Sequence, residues 1–285
     1  MKNIRYFFEY IIISLLFILF KFIGYQNSSN IGAKIGKIFG PIFRSKNIIK
    51  KNLEYAGIKN ETEQKKVIEE MWENYGRILA EYPFLKKFKT NQLKKYINIE
   101  GQEYLSDIKS KNKKAVFVSG HFNNFELMAM QLENLGIDLA AIYRPLNNFL
   151  MNKKMEKIRI NHICKKQIKK GKSGLRDVLK YLKQGTSIAL MIDQRVSEGK
   201  KIKFFNKFAL TTTIPAQIFA KYECAVIPIY IERYNKYYFK MKISKPLNLS
   251  KSDSLELISE KLNNLLEKMI MKNPSQWIWS HNRWK

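Results

Sequence analysis

A histidine follows a strongly apolar run in the segment VFVSGHFNNFELM, residues 117–129. Glu126 stands five residues after His121, where a helix-like pattern begins. A carboxylate bound to one imidazole nitrogen fixes the tautomer and leaves the other nitrogen free to take a proton from a hydroxyl. The spacing therefore indicates a general base, with the nucleophile supplied by a substrate. The alternative is a surface-loop histidine beside an ordinary first-turn acid.

Polar side chains also follow three later apolar runs. Arg144 ends the run in IYRPLNN, Asp193 and Gln194 end the run in MIDQRVSEGK, and a Glu-Arg pair ends AVIPIYIER. The carboxyl ends of strands are where α/β sheets usually hold their ligands. Each segment alone is also compatible with a solvated turn, but together with His121 they predict one polar edge of a sheet.

From about residue 97 the chain alternates short apolar runs with helix-like patterns. Near-continuous apolar strands separated by helices predict an α/β fold, in which a single catalytic domain has a mostly parallel or mixed central sheet flanked by helices. The predicted strands are 97–100, 115–119, 139–143, 187–192, 225–232 and, as a hairpin partner of the last, 237–243. The predicted helices are 124–135, 148–165, 174–184, 214–222 and 253–271.

The N-terminal segment YFFEYIIISLLFILFKFI, residues 6–23, is apolar except for Glu9, Ser14 and Lys21. As a helix it would reach about 27 Å, slightly short of a hydrocarbon core. No small-x-small cleavage site follows, so we expect an uncleaved membrane-anchor helix that either spans the bilayer or lies obliquely in it. More basic residues follow the segment than precede it, which favours a cytoplasmic main domain and a polybasic surface at the lipid.

Helical patterns fill the region between this anchor and the first strand. Residues 60–82 are the clearest helix, and Asn60 with Glu63 resembles a capping box. In residues 31–43, glycines recur every four positions, which allows close helix packing; the alternative is a loosely ordered interfacial segment that ends at Pro41. The predicted organisation is a membrane anchor at 1–25, a helical membrane-proximal region at 26–95 and an α/β domain at 96–285.

Composition narrows the classes of function. The 285 residues are 45% hydrophobic and 27% charged, as in a globular protein, and the net charge is +28. Such a charge attracts nucleic acid, anionic lipid or an acidic protein, although a general lysine bias explains it equally well. Cys164 and Cys224 lack paired spacing, which predicts a reduced compartment. The sequence has no P-loop, no G-x-G-x-x-G and no convincing zinc spacing, so we expect no metal or other cofactor.

The motifs are more specific in combination than singly. They are the apolar N-terminus, the H-x4-E box, YRPLNN, DQRVSEG, the block FFNKFALTTTIPAQIFAKYECAVIPIYIER and the closing NPSQWIWSHNRWK. In this combination the chain resembles, nearly end to end, the lipid A biosynthesis acyltransferases of the lauroyl/myristoyl type, which are relatives of the glycerol-phosphate acyltransferases. The resemblance implies transfer of a fatty acyl chain from an acyl thioester, held by acyl carrier protein, to a hydroxyl of a lipid A precursor or similar glycolipid.

The resemblance also implies roles for individual residues. In that family the histidine deprotonates the acceptor hydroxyl and the acid supports it, which implies that His121 is the base and Glu126 its partner. The implied location is the bacterial inner membrane, with the α/β acyltransferase domain in the cytoplasm. The implied partners are acidic acyl carrier protein, a glycolipid acceptor and the anionic membrane surface. The implied substrate-binding residues are Arg144, Arg159, Asp193 and Gln194.

Other functions stay open at this point. A basic, membrane-tethered nucleic-acid-binding protein fits the charge, but its lysines are scattered and no recognition motif is present, so nucleic acid is not an expected partner. A thioesterase could use the same His–Glu pair, although the chain lacks a G-x-S-x-G elbow. An acyltransferase acting on another lipid is the remaining alternative, because neither the acyl length nor the acceptor hydroxyl follows from the sequence.

Overall fold

The computed structural model describes residues 2–110 and 113–285. The helices are α1 (Lys2–Ile23), α2 (Tyr25–Phe39), α3 (Lys46–Tyr55), α4 (Glu61–Glu81), α5 (Leu85–Lys89), α6 (Ser106–Ser110), α7 (Glu126–Asn134), α8 (Phe149–His162), α9 (Lys172–Lys183), α10 (Ile214–Tyr222) and α11 (Leu255–Lys272). The strands are β1 (Ile97–Glu100), β2 (Ala115–Ser119), β3 (Leu139–Tyr143), β4 (Lys166–Lys169), β5 (Ser187–Met191), β6 (Lys200–Phe204), β7 (Lys207–Thr211), β8 (Ala225–Tyr234) and β9 (Tyr238–Ile243). Short 3₁₀ turns lie at Gly40–Ile42, Tyr82–Phe84, Lys94–Tyr96, Gln102–Leu105 and Pro274–Gln276.

Seven of the described strands form one sheet in the order β1-β9-β8-β2-β5-β3-β4. Neighbouring strands are parallel except β8 and β9, which are antiparallel. All five residues of the central strand β2 are buried, as expected for a parallel strand covered on both faces. The polar end of β2 is satisfied, because the Ser119 hydroxyl donates to the Ile229 carbonyl at 2.6 Å. The predicted α/β fold with a mostly parallel sheet flanked by helices is confirmed.

Three strands were missing from the prediction. β4 begins one residue after the predicted helix 148–165, which in the structure ends at His162, and β6 pairs with β7 in a separate antiparallel hairpin. Their sequences, KQIK, KKIKF and KFALT, are short, each begins with a lysine, and each buries only some of its residues. Such edge and hairpin strands carry no continuous apolar run, so the apolar pattern that revealed β2 and β8 did not reveal them.

The helical region before β1 follows the sequence closely. The Asn60 side chain accepts from the Glu63 amide at 3.0 Å and so caps α4. The glycine stripe packs α2 closely on α4: a Cβ at Gly32 would lie 2.4 Å from the carbonyl oxygen of Gly76, and a Cβ at Gly36 would lie 2.1 Å from that of Trp72. The two helices can therefore approach only because these positions are glycine, and the close-packing alternative is the observed one.

Helix α1 is long and apolar enough to cross a membrane. The helix has 22 residues, and most of its apolar stretch is exposed. The predicted division of the chain into an anchor (1–25), a helical membrane-proximal region (26–95) and an α/β domain (96–285) stays a prediction. Contacts cross both limits: Asn148 donates to the Tyr6 carbonyl at 2.9 Å, and Arg233 forms an ion pair with Glu81.

Candidate active site

The central strands β2 and β5 bring two chemically active side chains to one edge of the sheet. The strands are parallel neighbours, with Ser119 opposite Met191, so the residues that follow them emerge at the same carboxyl edge. His121 lies beyond β2 and Asp193 beyond β5. The imidazole Nδ1 of His121 lies 2.8 Å from Oδ1 of Asp193.

The Asp193 carboxylate is buried and accepts three hydrogen bonds. The Nδ1 of His121 reaches Oδ1, whereas the His121 amide at 2.9 Å and the Trp277 indole at 2.8 Å reach Oδ2. Burial alone would raise the pKa of Asp193, but the nearby imidazole and these donors lower it to about 2. Because an ionised carboxylate only accepts hydrogen bonds, Nδ1 of His121 carries the hydrogen.

This arrangement leaves the other imidazole nitrogen free. The His121 side chain is 23% exposed, and the ring packs edge-on against Phe125 with centroids 4.8 Å apart. Within residues 2–110 and 113–285, Nε2 has no hydrogen-bond partner. With hydrogen held at Nδ1, Nε2 presents a lone pair and can accept a proton.

The predicted contact between the Glu126 carboxylate and the His121 imidazole does not form. The carboxylate at Nδ1 is that of Asp193, whereas Glu126 accepts hydrogen bonds from Arg159 and Tyr82. The physical reason is the backbone: Asn123 has a left-handed φ of 48° and α7 begins only at Glu126. Glu126 is therefore bound to α8 and to the turn after α4.

The Glu126 contacts form a buried cluster. Its Oε1 accepts from Tyr82 at 2.6 Å and from Arg159 Nε and Nη2 at 2.9 and 2.8 Å. Burial and the Glu126 charge raise the pKa of Tyr82 well above its ordinary value, so the phenol is a donor. Burial would lower the pKa of Arg159, but the Glu126 charge outweighs it and raises that pKa. The cluster joins the turn after α4 to α7 and α8, and it adjoins the loop of residues 120–125 that carries His121 (the His121 loop).

The side chains of the two asparagines after His121, Asn123 and Asn124, bind other elements of the fold. Asn123 Nδ2 donates to Oε1 of Gln276 at 2.6 Å, and Asn124 Nδ2 donates to Glu81 at 2.9 Å. Glu81 in turn binds both terminal nitrogens of Arg233, and Gln276 accepts from the Arg233 amide. The His121 loop is thus held by α4, by β8 and by the C-terminal segment.

A second histidine lies close to the first. The Nε2 of His281 accepts from the Arg195 amide at 3.1 Å, and Asn52 donates to the His281 carbonyl at 2.8 Å. Burial lowers the pKa of His281 to about 4, and the nearby Asp193 carboxylate opposes this shift. His281 is therefore neutral at physiological pH. No local sequence pattern indicates this position of His281, because its partners Arg195 and Asn52 lie far away in the chain.

The remaining predicted site residues are more exposed. Arg144 follows β3 on the same edge, and its charge contributes to the lowered pKa of His281. Gln194 follows Asp193 and is half-buried. In the described parts of the chain no three His, Cys, Asp or Glu side chains group as metal ligands. The structure thus brings His121, Asp193 and Arg144 to one edge and places Arg159 and Glu126 behind it.

This fold and edge define the chain as an α/β protein with a histidine–carboxylate pair. The chain belongs to the bacterial lipid A biosynthesis acyltransferase family, whose model matches residues 1–285, and it is an acyltransferase. It is 26% identical over 263 residues to the lipid A biosynthesis palmitoleoyltransferase of Escherichia coli K12, covering 90% of this chain and 84% of that one.

Two further relatives carry related names. The lipid A biosynthesis lauroyltransferase of E. coli K12 is 24% identical over 271 residues, covering 90% of this chain and 84% of that one. A lipid A biosynthesis acyltransferase of Haemophilus influenzae is 25% identical over 234 residues, covering 79% and 72%. The family predicted from the combined motifs is confirmed.

Proposed function

We propose that this acyltransferase moves a fatty acyl chain from a thioester on acyl carrier protein to a hydroxyl of a lipid A precursor, with His121 as general base. One observation carries the proposal: a partly exposed imidazole whose Nδ1 binds buried Asp193 and whose Nε2 is free. A neutral imidazole oriented in this way can take a proton from a hydroxyl within hydrogen-bond reach.

The proposed reaction needs no group beyond the two substrates and the pair. Nε2 of His121 accepts the hydroxyl proton while the oxygen attacks the thioester carbonyl and the new C–O bond forms. The tetrahedral intermediate then collapses, the C–S bond breaks, and the leaving sulfur takes the proton back from Nε2. Asp193 stabilises the transient imidazolium, because its carboxylate already accepts the Nδ1 hydrogen.

In this proposal Glu126 and Arg159 act as positioning residues. Their buried contact fixes the start of α7, and α7 follows the loop that carries His121. Arg144 and Gln194 remain the proposed substrate-binding residues, since both follow strands on the reactive edge. Arg144 is exposed, so its guanidinium is free to bind a phosphate of the acceptor.

The charge of the whole chain supports the proposed partners. A net charge of +28 attracts an acidic carrier protein and the anionic surface of a membrane. The apolar α1 supports membrane association, and the basic residues after it support an inner-membrane location with the catalytic domain in the cytoplasm.

The test is a mass spectrum of lipid product. Membranes that contain wild type, His121→Ala or His162→Ala receive acyl carrier protein loaded with mixed chain lengths and a tetra-acylated lipid A precursor. We expect wild type and His162→Ala to yield a product heavier by one acyl group, and His121→Ala to yield almost none. His162 is the matched control because it lies at the end of α8, away from the pair.

Three results would contradict parts of the proposal. Free fatty acid in place of acylated lipid would indicate a thioesterase. Transfer to a different lipid would show that the proposed acceptor is wrong. Equal transfer by His121→Ala and wild type would show that the histidine has a structural role.

A further inference from the structure

Helix α1 has two unlike faces along its whole length. Tyr6, Phe17 and Phe20 are buried, and they mark the face that packs on the protein. The opposite stripe repeats every three or four positions and presents only large apolar side chains to the outside. Its exposed members are Ile4, Phe7, Phe8, Ile11, Ile12, Leu15, Ile18, Leu19 and Phe22.

Polar and aromatic contacts attach the inner face to the rest of the fold. Asn148, just before α8, donates to the Tyr6 carbonyl at 2.9 Å and to Glu9 Oε2 at 3.0 Å. Six residues further along the chain, within α8, Lys154 donates to the Ser14 hydroxyl at 2.7 Å. Glu9 and Ser14, the polar side chains in the middle of α1, therefore bind α8 and the residue before it, and α1 is docked on α8.

The docking continues towards the C-terminal end of α1. The Phe17 ring stacks on Tyr82 with centroids 6.3 Å apart, and the Phe20 carbonyl accepts from Ser28 at 2.8 Å. From Tyr6 to Phe20 the attachment extends about 21 Å along the helix axis. A helix held over that length cannot tilt away from the domain without breaking the contacts.

This attachment conflicts with a helix that crosses the bilayer. If α1 stood upright in the hydrocarbon, α8 would enter it as well. The outer face of α8 carries exposed Lys153 and Lys157, and charged side chains at membrane depth are costly. An α1 that lies in the membrane plane buries its apolar stripe and keeps α8 in water.

We infer that α1 lies in the plane of an anionic phospholipid leaflet, with its apolar stripe inserted, and does not span the bilayer. Exposed Lys2 and Lys21 stand at the two ends of the stripe, where they would meet lipid phosphates. The inference rests on the proposed membrane association and adds the orientation of the protein on the lipid.

The orientation has a consequence for the reactive edge. Asn148 joins α1 to the loop between β3 and α8, and two exposed apolar side chains lie there: Leu146 in the loop and Phe149 at the first position of α8. Arg144 begins the same loop. An in-plane α1 therefore brings the edge that carries His121 next to the headgroups, where a lipid acceptor resides.

The test measures the depth of α1 in vesicles of phosphatidylglycerol and phosphatidylethanolamine. Full-length Ile4→Cys, Ile11→Cys and Ile18→Cys variants, two helical turns apart on the exposed stripe, carry nitroxide labels; native Cys164 and Cys224 are buried. Collision rates with oxygen and with a water-soluble nickel chelate report depth. Phe208→Cys, on the exposed hairpin strand β7, provides the value in water.

An in-plane helix predicts similar, shallow depths for the three labels. A spanning helix predicts depths that change by about 10 Å between successive labels, and that result would overturn the inference. The inference would also be wrong if all three labels collided with the nickel chelate as often as the Phe208→Cys control, since the stripe would then lie in water and not in lipid.

Acyl transfer is measured in the same vesicles, so the two proposals fail separately. A steep depth gradient with normal transfer contradicts only the in-plane orientation. Shallow, equal depths without transfer contradict only the proposed reaction.

A second experiment adds an impermeant maleimide to sealed vesicles that have the catalytic domain outside. Asn3→Cys reacts at once if α1 lies in the outer leaflet, and it reacts only after lysis if α1 spans the bilayer.

Discussion

Asp193 and Glu126 are both buried carboxylates near the carboxyl edge of the sheet, yet they bind different kinds of partner. At neutral pH Asp193 is ionised and binds Nδ1 of the His121 imidazole, whose Nε2 can accept a proton. Glu126 binds the guanidinium of Arg159 and the phenol of Tyr82, whose protons stay in place at that pH. Only the first carboxylate is connected to a proton that can move.

The comparison shows that sequence proximity is a poor guide to catalytic partnership. Glu126 is five residues from His121, whereas Asp193 is 72 residues away and binds it twice, through the amide and through Nδ1. We therefore expect changes at Asp193 to affect proton transfer and changes at Glu126 to affect the fold. The following variants test that difference.

The largest loss of turnover is expected from His121→Ala. A general base contributes about 10²–10⁴-fold, and the partly exposed side chain can be removed without opening the core. Single-turnover rates and thermal unfolding are measured together. A fall in melting temperature that accounts for the whole loss of activity would contradict the assigned role.

A smaller loss than for His121→Ala is expected from Asp193→Asn, because removal of an orienting carboxylate can cost about 10²-fold less than removal of the base that it orients. The amide would donate to Nδ1, which forces the imidazole hydrogen onto Nε2 and removes the proton acceptor. The KM for the acyl donor should change little while kcat falls. Wild-type kcat in this variant would show that Asp193 only supports the structure.

Glu126→Gln should act first on stability. It leaves Arg159 buried without its counter-charge, which typically costs about 3–5 kcal/mol. Adding Arg159→Met should restore part of that stability in urea unfolding, because no unpaired charge then remains. If the double variant folds well but stays as inactive as His121→Ala, the cluster takes part in the chemistry and the contrast with Asp193 fails.

The smallest effect concerns acid stability. Asp193 has a pKa of about 2 in the folded protein against an ordinary value of 3.8, so its stabilising contribution is complete above pH 4 and is lost as pH falls through 2. The shift corresponds to about 2 kcal/mol. Unfolding free energies between pH 2 and 6 should fall more steeply for wild type than for Asp193→Asn. Parallel curves would contradict the assigned contacts of Asp193.

Much of the fold was predictable because local patterns carry it. Apolar runs predicted β2, β5 and β8, since strands buried on both faces need such runs. The Asn60 cap was also predictable, because it depends on neighbours within one helix. The glycines of residues 31–43 left close helix packing and an interfacial segment open, because their contacts are with the distant helix α4. The short strands β4, β6 and β7 were missed, since alternate burial of a few residues leaves almost no pattern.

The sequence by itself determined the family, the apolar α1, the α/β order of elements and the position of His121 at the end of a buried strand. Only the tertiary structure decided which acid reaches the imidazole, and that α1 is docked along α8. Both depend on contacts between residues far apart in the chain. The pairing of β2 with β5 places Asp193 beside His121, and a residue's type cannot reveal which distant strand will become its neighbour.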